Sequence, residues 1–249
     1  DEGDVRLFLR IAEDLDLQRL GRGPGLLMSY GTALFPSGLW SGEAVVPLDL
    51  GALREDVSHA WVSGPALHPE QGRTLTDADK DGAYSWCKAP RLDGQPVEVG
   101  ALARQVIAGQ PLLRTLATRY GSNVRDRVLA RLIETARLLL AMEGWVRDLR
   151  PREPFCAQTL LPDSGGGVGL VEAARGGLGH WLHVEGGRIA NYQIIAPTTW
   201  NFSPRDAAGT LGPLEQALVG TPVVSGETTP VAVQHVVRSF DPCMVCTVH

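Results

Sequence analysis

The alternation of apolar and polar residues divides the chain into two unlike parts. From Ser122, a residue suited to an N-cap, apolar side chains recur at Val124, Val128, Leu132, Ala136, Leu139 and Val146, and the run ends at Arg150-Pro151. Spacing of three to four residues predicts one long helix packed along one side. The residues between, Arg125, Arg127, Arg131, Glu134 and Arg137, then face solvent or another subunit. The opening DEGDVRLFLRIAEDLDLQ also has helical character, with Val5, Leu7, Ile11 and Leu15 as its apolar side. Between these helical stretches lie Gly- and Pro-punctuated segments at 21–38 and 63–74.

Beyond Pro151 the period changes. Residues 167–197 hold three runs rich in Val, Leu and Ile, separated by glycine pairs at 176–177 and 186–187, which predicts a small antiparallel sheet. Short helices are expected near 212–219 and 230–238. The expected fold is α-rich α+β, with a mostly helical body over 1–150 and a small sheet plus the chain terminus over 151–249.

Composition changes little in this picture. At 249 residues, 44% hydrophobic and 20% charged, the chain can bury a sizeable core, and its formal charge of −5 gives no reason to expect nucleic acid as a partner. It holds no apolar run of bilayer-spanning length. With no initiator Met and an opening that reads as mid-helix, the expectation is a fragment lacking an N-terminal part.

Candidate chemistry is concentrated at one end. GRGPG at 21–25 and SGGGVG at 164–169 lack the spacing and the following Lys-Ser/Thr of phosphate loops, and no G-x-S-x-G elbow exists. Cys87 and Cys156 sit in apolar company and read as small buried hydrophobes. His180 and His183 are expected on opposite faces of a strand, one buried and hydrogen-bonded, the other exposed. In SFDPCMVCTVH, Ser239 to His249, the C-x-x-C spacing of Cys243 and Cys246 lets two thiolates converge on one metal. Spacing alone leaves a redox dithiol, half a zinc site or an inert pair equally open.

Five blocks together resemble the large subunit of nickel-iron hydrogenases. They are YSWCKAPR (84–91), VEVGALAR (97–104), VEAARGGLGHW (171–181), NYQIIAPTTWNFSPRD (191–206) and the D-P-C-x-x-C-x-x-H ending, in family order. The ending looks most like uptake enzymes of cyanobacterial type and dihydrogen-sensing hydrogenases, rather than the periplasmic enzymes of sulfate reducers.

The resemblance implies a nickel-iron centre bridged by thiolates, with carbon monoxide and cyanide on iron, and a magnesium ion nearby. Cys243 corresponds to a terminal nickel ligand and Cys246 to a bridging one. His249 and the backbone carbonyl of Ile194 correspond to magnesium ligands. Arg175 corresponds to an arginine over the open face of the metals, oriented by Asp241; Thr198 to a hydroxyl on one cyanide; Pro90 and Pro197 to the walls of the pocket. The family's other two thiolates lie in an R-x-C-G-x-C motif that these 249 residues do not contain. Ala174 and Ala101 stand where many members have proline, and the first puts the rigidity of the Arg175 turn in question.

The partners implied are the remaining N-terminal half, an iron-sulfur small subunit, maturation proteins for metal insertion, and dihydrogen as substrate. Some members are cut just after the histidine once nickel is in place, and the ending at His249 is expected to be such a mature end or a naturally unextended one. The implied activity is heterolytic oxidation of dihydrogen, with slow-turnover sensing to a kinase as the alternative, at a cytoplasmic site or the cytoplasmic face of a membrane.

Overall fold

The computed structural model describes residues 3–154, 156, 159–160 and 162–243. Four small sheets and seven α-helices make up the described chain, and no helix in it is long and apolar enough to cross a membrane.

Helix α1 (Asp4–Asp14) comes first. Then follow β1 (Leu27–Ser29), β2 (Gly38–Trp40), β3 (Val45–Val46), β4 (Leu53–Asp56), β5 (Val62–Ser63), β6 (Leu75–Thr76), β7 (Ala89–Leu92) and β8 (Glu98–Val99). Strands β3, β2, β1 and β8 form one sheet in that order, with β1 and β8 parallel; β4 pairs with β7 and β5 with β6. The helical body expected over 1–150 is therefore confined to α1 and the region after 100. Strands of two to four residues are too short for a period of two to declare itself in sequence.

Helices α2 (Ala101–Ile107), α3 (Pro111–Tyr120) and α4 (Val124–Asp148) come next. Leu27 and Trp40 from the first sheet pack with Leu102, Val106, Leu113 and Leu129 in one core cluster. The N-cap of α4 is Asn123, whose side chain accepts the Asp126 N–H; Ser122 donates its hydroxyl to Glu98 instead, at 2.7 Å. More consequentially, the buried face of α4 runs through Val124, Arg127, Ala130 and Glu134, about one residue from the apolar stripe expected. Arg127 and Glu134 occupy core positions because each has a buried partner of opposite sign on another element. Leu139, Met142, Trp145 and Val146 are exposed. Similarly, α1 turns Phe8 and Ala12 inward and leaves Val5, Leu7, Ile11 and Leu15 largely exposed.

The antiparallel sheet expected after Pro151 is present as β9 (Ser164–Ala173), β10 (Gly176–Glu185) and β11 (Arg188–Ile195), with β10 in the middle. Its inner face contributes Trp181 and Ile195 to a second core cluster with Met28, Leu53, Val97 and Trp200. Three short helices follow: α5 (Pro197–Asn201), α6 (Pro213–Leu218) and α7 (Val231–Ser239). Helix α7 packs Val236 and Phe240 against Val124 and Ala217, so the chain is delivered to its last residues from the core. Neither histidine of β10 is fully buried: His180 hydrogen-bonds Tyr192 at 2.7 Å and His183 pairs with Glu185 at 3.2 Å on the exposed side. Cys156 is exposed, contrary to the expectation for it, while Cys87 is half-buried.

Candidate metal centre

The site is assembled where α7 ends against the β9–β10 turn. Asp241 takes φ +53°, a left-handed conformation aspartate tolerates, and its N–H closes the helix on the Arg238 carbonyl at 3.0 Å. Pro242 then prevents the helix from continuing. This Asp-Pro step turns the chain so that the backbone N–H of Cys243 donates to Thr198 Oγ1 at 3.3 Å, on the buried first turn of α5. Pro197, at the start of α5, is buried beside it.

Arg175 lies in the two-residue turn joining β9 to β10 and extends toward Asp241, with 3.8 Å between Nε and Oδ1. Both side chains are about two-fifths exposed (42% and 41%), and both line a cavity of about 20 Å³ with Gly100, Ala101, Arg131 and Phe240. A separation of 3.8 Å makes an ion pair without a tight hydrogen bond, so the guanidinium keeps donors for another ligand.

Arg127 and Arg131 hold this end of the chain in place. The Arg127 guanidinium spans both oxygens of Glu98 at 2.8 and 2.9 Å, donates to the Gly21 carbonyl and the Ser239 hydroxyl, and stacks on the Phe240 ring at 3.7 Å. Arg131 donates to the Ser239 carbonyl at 2.6 Å. Burial pulls its affinity for the proton down, against the opposing pull of Asp241. Residues expected at a solvated surface thus anchor the segment just before Cys243. The one sequence signal that could have found them is a run of arginines on a helix that also carries the best apolar period.

Ile194 and Pro90 belong to a second wall. Ile194 lines a cavity of about 300 Å³ with Glu55, Thr74, Cys87, Lys88 and Thr199. Pro90 is buried opposite Glu55 in the β4–β7 ladder. Lys88 donates to the Glu55 carboxylate at 3.3 Å and to the Gln193 side-chain oxygen Oε1 at 2.7 Å, both buried. Burial raises the Glu55 carboxyl above its ordinary range against the pull of Lys88, and burial likewise pushes the Cys87 thiol up. Close by in the chain, Arg91 ties β7 to the 203–210 loop through Asp206, Ser203 and the carbonyls of Pro204 and Thr210. Neither Lys88 nor Arg91 was singled out from sequence, although both sit in the first block of matched residues.

Cys246 and His249 lie outside the described residues. Among those described, no three His, Cys, Asp or Glu side chains gather as a metal site of their own. The Cys243 thiol is a soft donor of the kind a thiolate-bound centre takes. Cys243 is tied through its backbone N–H to the buried Thr198 hydroxyl, two residues beyond the carboxylate that pairs with the Arg175 guanidinium.

A family model described as nickel-dependent hydrogenase matches residues 26–249. The chain belongs to that family. Among curated hydrogenases it is 36% identical to the periplasmic [NiFeSe] hydrogenase large subunit of Desulfomicrobium baculatum, over 88% of this chain and 46% of that protein. It is 30% identical to the uptake hydrogenase large subunit of Rubrivivax gelatinosus, over 83% of this chain and 43% of that protein. Among solved hydrogenases, the Ni-Fe-Se enzyme of Desulfovibrio vulgaris Hildenborough in its as-isolated oxidised state superposes with a TM-score of 0.87 at 32% identity, over 98% of this chain and 57% of that one. The chain thus spans less than half the length of the two curated relatives. The likeness is not confined to the uptake group: the periplasmic [NiFeSe] relative is 36% identical and the uptake relatives 30–32%, so the expected contrast with periplasmic enzymes does not hold.

Proposed function

We propose that the chain is the C-terminal half of a hydrogenase large subunit and provides one side of a nickel-iron centre that oxidises dihydrogen. The observation that carries this reading is the convergence of Arg175, Asp241, Thr198 and Cys243 on the end of α7, from the β9–β10 turn, α5 and the chain's last segment. Cys243 and Cys246 would supply two thiolates, soft donors suited to nickel, and the rest of the large subunit would supply the others. The metal centre, when bound, supplies heterolytic cleavage of dihydrogen. Carbon monoxide and cyanide would complete the iron, with the Thr198 hydroxyl toward one cyanide.

The Arg175 guanidinium presents fixed positive charge and free N–H donors to whatever occupies the pocket, and Asp241 keeps it pointed there. Thr198 holds the Cys243 backbone, so the thiol starts from a fixed point. In the 300 Å³ cavity beside Ile194, mostly apolar but bearing Glu55, Thr74 and Lys88, a hydrated magnesium ion would be held by the Ile194 carbonyl and His249, with those polar side chains as partners for its water. Electrons would pass to an iron-sulfur small subunit, since four cysteines in this chain are too few to carry clusters as well.

The test uses the full-length large subunit purified with its small subunit. Arg175→Lys keeps the charge but loses the planar fork; dihydrogen-dependent dye reduction is expected to fall by orders of magnitude with nickel content unchanged. Undiminished turnover would overturn the role given to Arg175.

A further inference from the structure

The turn that carries Arg175 is not built to hold itself. Ala173 and Gly176 face each other in register, leaving Ala174 and Arg175 as a two-residue hairpin loop. Such loops ordinarily take positive φ at one or both central residues to match strand twist. Here neither Ala174 nor Arg175 does, and the positive φ falls on Gly176 at +136°. Ala174 also lacks the ring that would fix its φ.

Arg104, on α2, grips the turn from beneath. Its Nη1 donates to the Ala173 carbonyl and its Nη2 to the Ala174 carbonyl, both at 2.9 Å. The remaining three N–H groups go to carboxylates: Nε and Nη2 to Glu134 at 3.0 and 2.6 Å, and Nη1 to Glu172 at 3.0 Å. All five guanidinium donors are used, and the side chain is almost fully buried. Glu172 is itself fixed by the Tyr30 N–H at 2.7 Å.

The turn also abuts the start of the same helix, one turn before Arg104. A Cβ on Gly176 would lie 2.8 Å from the Gly100 nitrogen, and one on Gly100 would lie 3.3 Å from the Arg175 carbonyl. The backbone at 173–176 thus meets the first turn of α2 at two points, the Arg104 guanidinium and Gly100, while the Arg175 side chain has only Asp241 at 3.8 Å to orient it among the described residues.

We propose that Arg104 is the positioning residue for Arg175: anchored by Glu134 and Glu172, it fixes the Ala174–Arg175 turn through the carbonyls of Ala173 and Ala174. The inference rests on the reading of Arg175 given above. Lysine at 104 cannot reproduce it, because three donors on one nitrogen cannot reach two carboxylates and two carbonyls in a plane.

The experiment compares wild type, Arg104→Lys, Arg104→Lys/Ala174→Pro and Arg175→Lys in the assembled two-subunit protein, reading amide exchange at 173–177, nickel content and turnover. Arg104→Lys is expected to speed exchange at 173–177 by about tenfold or more, with the middle of β10 unchanged, and to lower turnover with nickel retained. Adding Ala174→Pro, which restricts φ at the loosened residue, is expected to recover much of both. Unchanged exchange in Arg104→Lys, or loss spread over the whole sheet with no recovery by proline, overturns the proposal. Faster exchange alongside an Arg175→Lys variant of full turnover would leave the clamp standing and remove the role assigned to Arg175. Should Arg104→Lys fail to assemble, Glu134→Gln removes one anchoring charge while keeping the shape, and is expected to loosen the same five residues to a smaller degree.

Discussion

Replacing Arg127 by Met should release the end of the chain before it unfolds anything else. The side chain is 3% exposed, so its loss strands the Glu98 carboxylate, 2% exposed, with Ser122 as its one other side-chain donor among the described residues. Removing one partner of a buried ion pair costs about 3–5 kcal/mol. The stacking on Phe240, a desolvated cation over a ring, is part of that sum and worth about 2 kcal/mol. Because Arg127 also joins the Gly21 carbonyl to the Ser239 hydroxyl, the weakened element is the junction of α7 with Asp241. The readout is amide exchange at Phe240 and Asp241, whose N–H groups close α7 on Val237 and Arg238. At about 1.4 kcal/mol per decade, exchange there should rise by about 10²- to several 10³-fold, with the centre of β10 little changed. The double variant Arg127→Met/Glu98→Leu, which removes the stranded charge, should recover more than half of the effect. Exchange at Phe240 and Asp241 equal to wild type in the single variant would refute the anchoring role.

Two further outcomes follow from the geometry. Gly176→Ala combines φ +136° with a Cβ only 2.7 Å from Val99 Cγ2, and should cost about 3 kcal/mol or more. Gly94→Ala, at φ +72° with open space around it, should cost about 1 kcal/mol, so thermal midpoints of the two variants should differ by several degrees. Asp206 gives an acid-limb test. Although burial alone would raise it, hydrogen bonds from the Thr210 and Ala208 N–H groups and from Arg91 hold its carboxyl below 3.8. A depressed carboxyl contributes stability in full above its unfolded value and loses it as pH falls through the folded one. Asp206→Asn should therefore lower stability by about 2 kcal/mol at pH 7 and flatten the decline below pH 4, read by urea titration across pH. An unaltered acid limb would contradict the assignment.

What could be read from the chain ahead of its structure was whatever repeats locally or matches a motif. The extents of α4, the three-stranded sheet, α6 and α7 follow from periodicity and glycine pairs. The residues brought together at the end of α7 follow from five short blocks that resemble a known family. Which face of α4 is buried did not follow, because hydropathy treats Arg127 and Glu134 as surface residues. Only partners far away in sequence, Glu98 and Arg104, make them interior. The first hundred residues misled for a related reason: strands of two to four residues carry too few positions for alternation to show. On α1, an apolar residue stands at nearly every turn on more than one side, so hydrophobicity could not say that Phe8 and Ala12 pack and Val5 and Leu15 do not. Arg104 lay inside a quoted block and still escaped notice, since its five bonds depend on the meeting of α2, α4 and β9.

The central expectation is that this half of a large subunit helps enclose a nickel-iron centre. Infrared spectroscopy of the full-length large subunit, purified with its small subunit, addresses that directly, because iron-bound carbon monoxide and cyanide absorb where protein is nearly silent. Such bands are expected, with a shift under dihydrogen and their loss in Cys243→Ser. A correctly assembled protein that contains nickel but shows no bands would contradict that expectation.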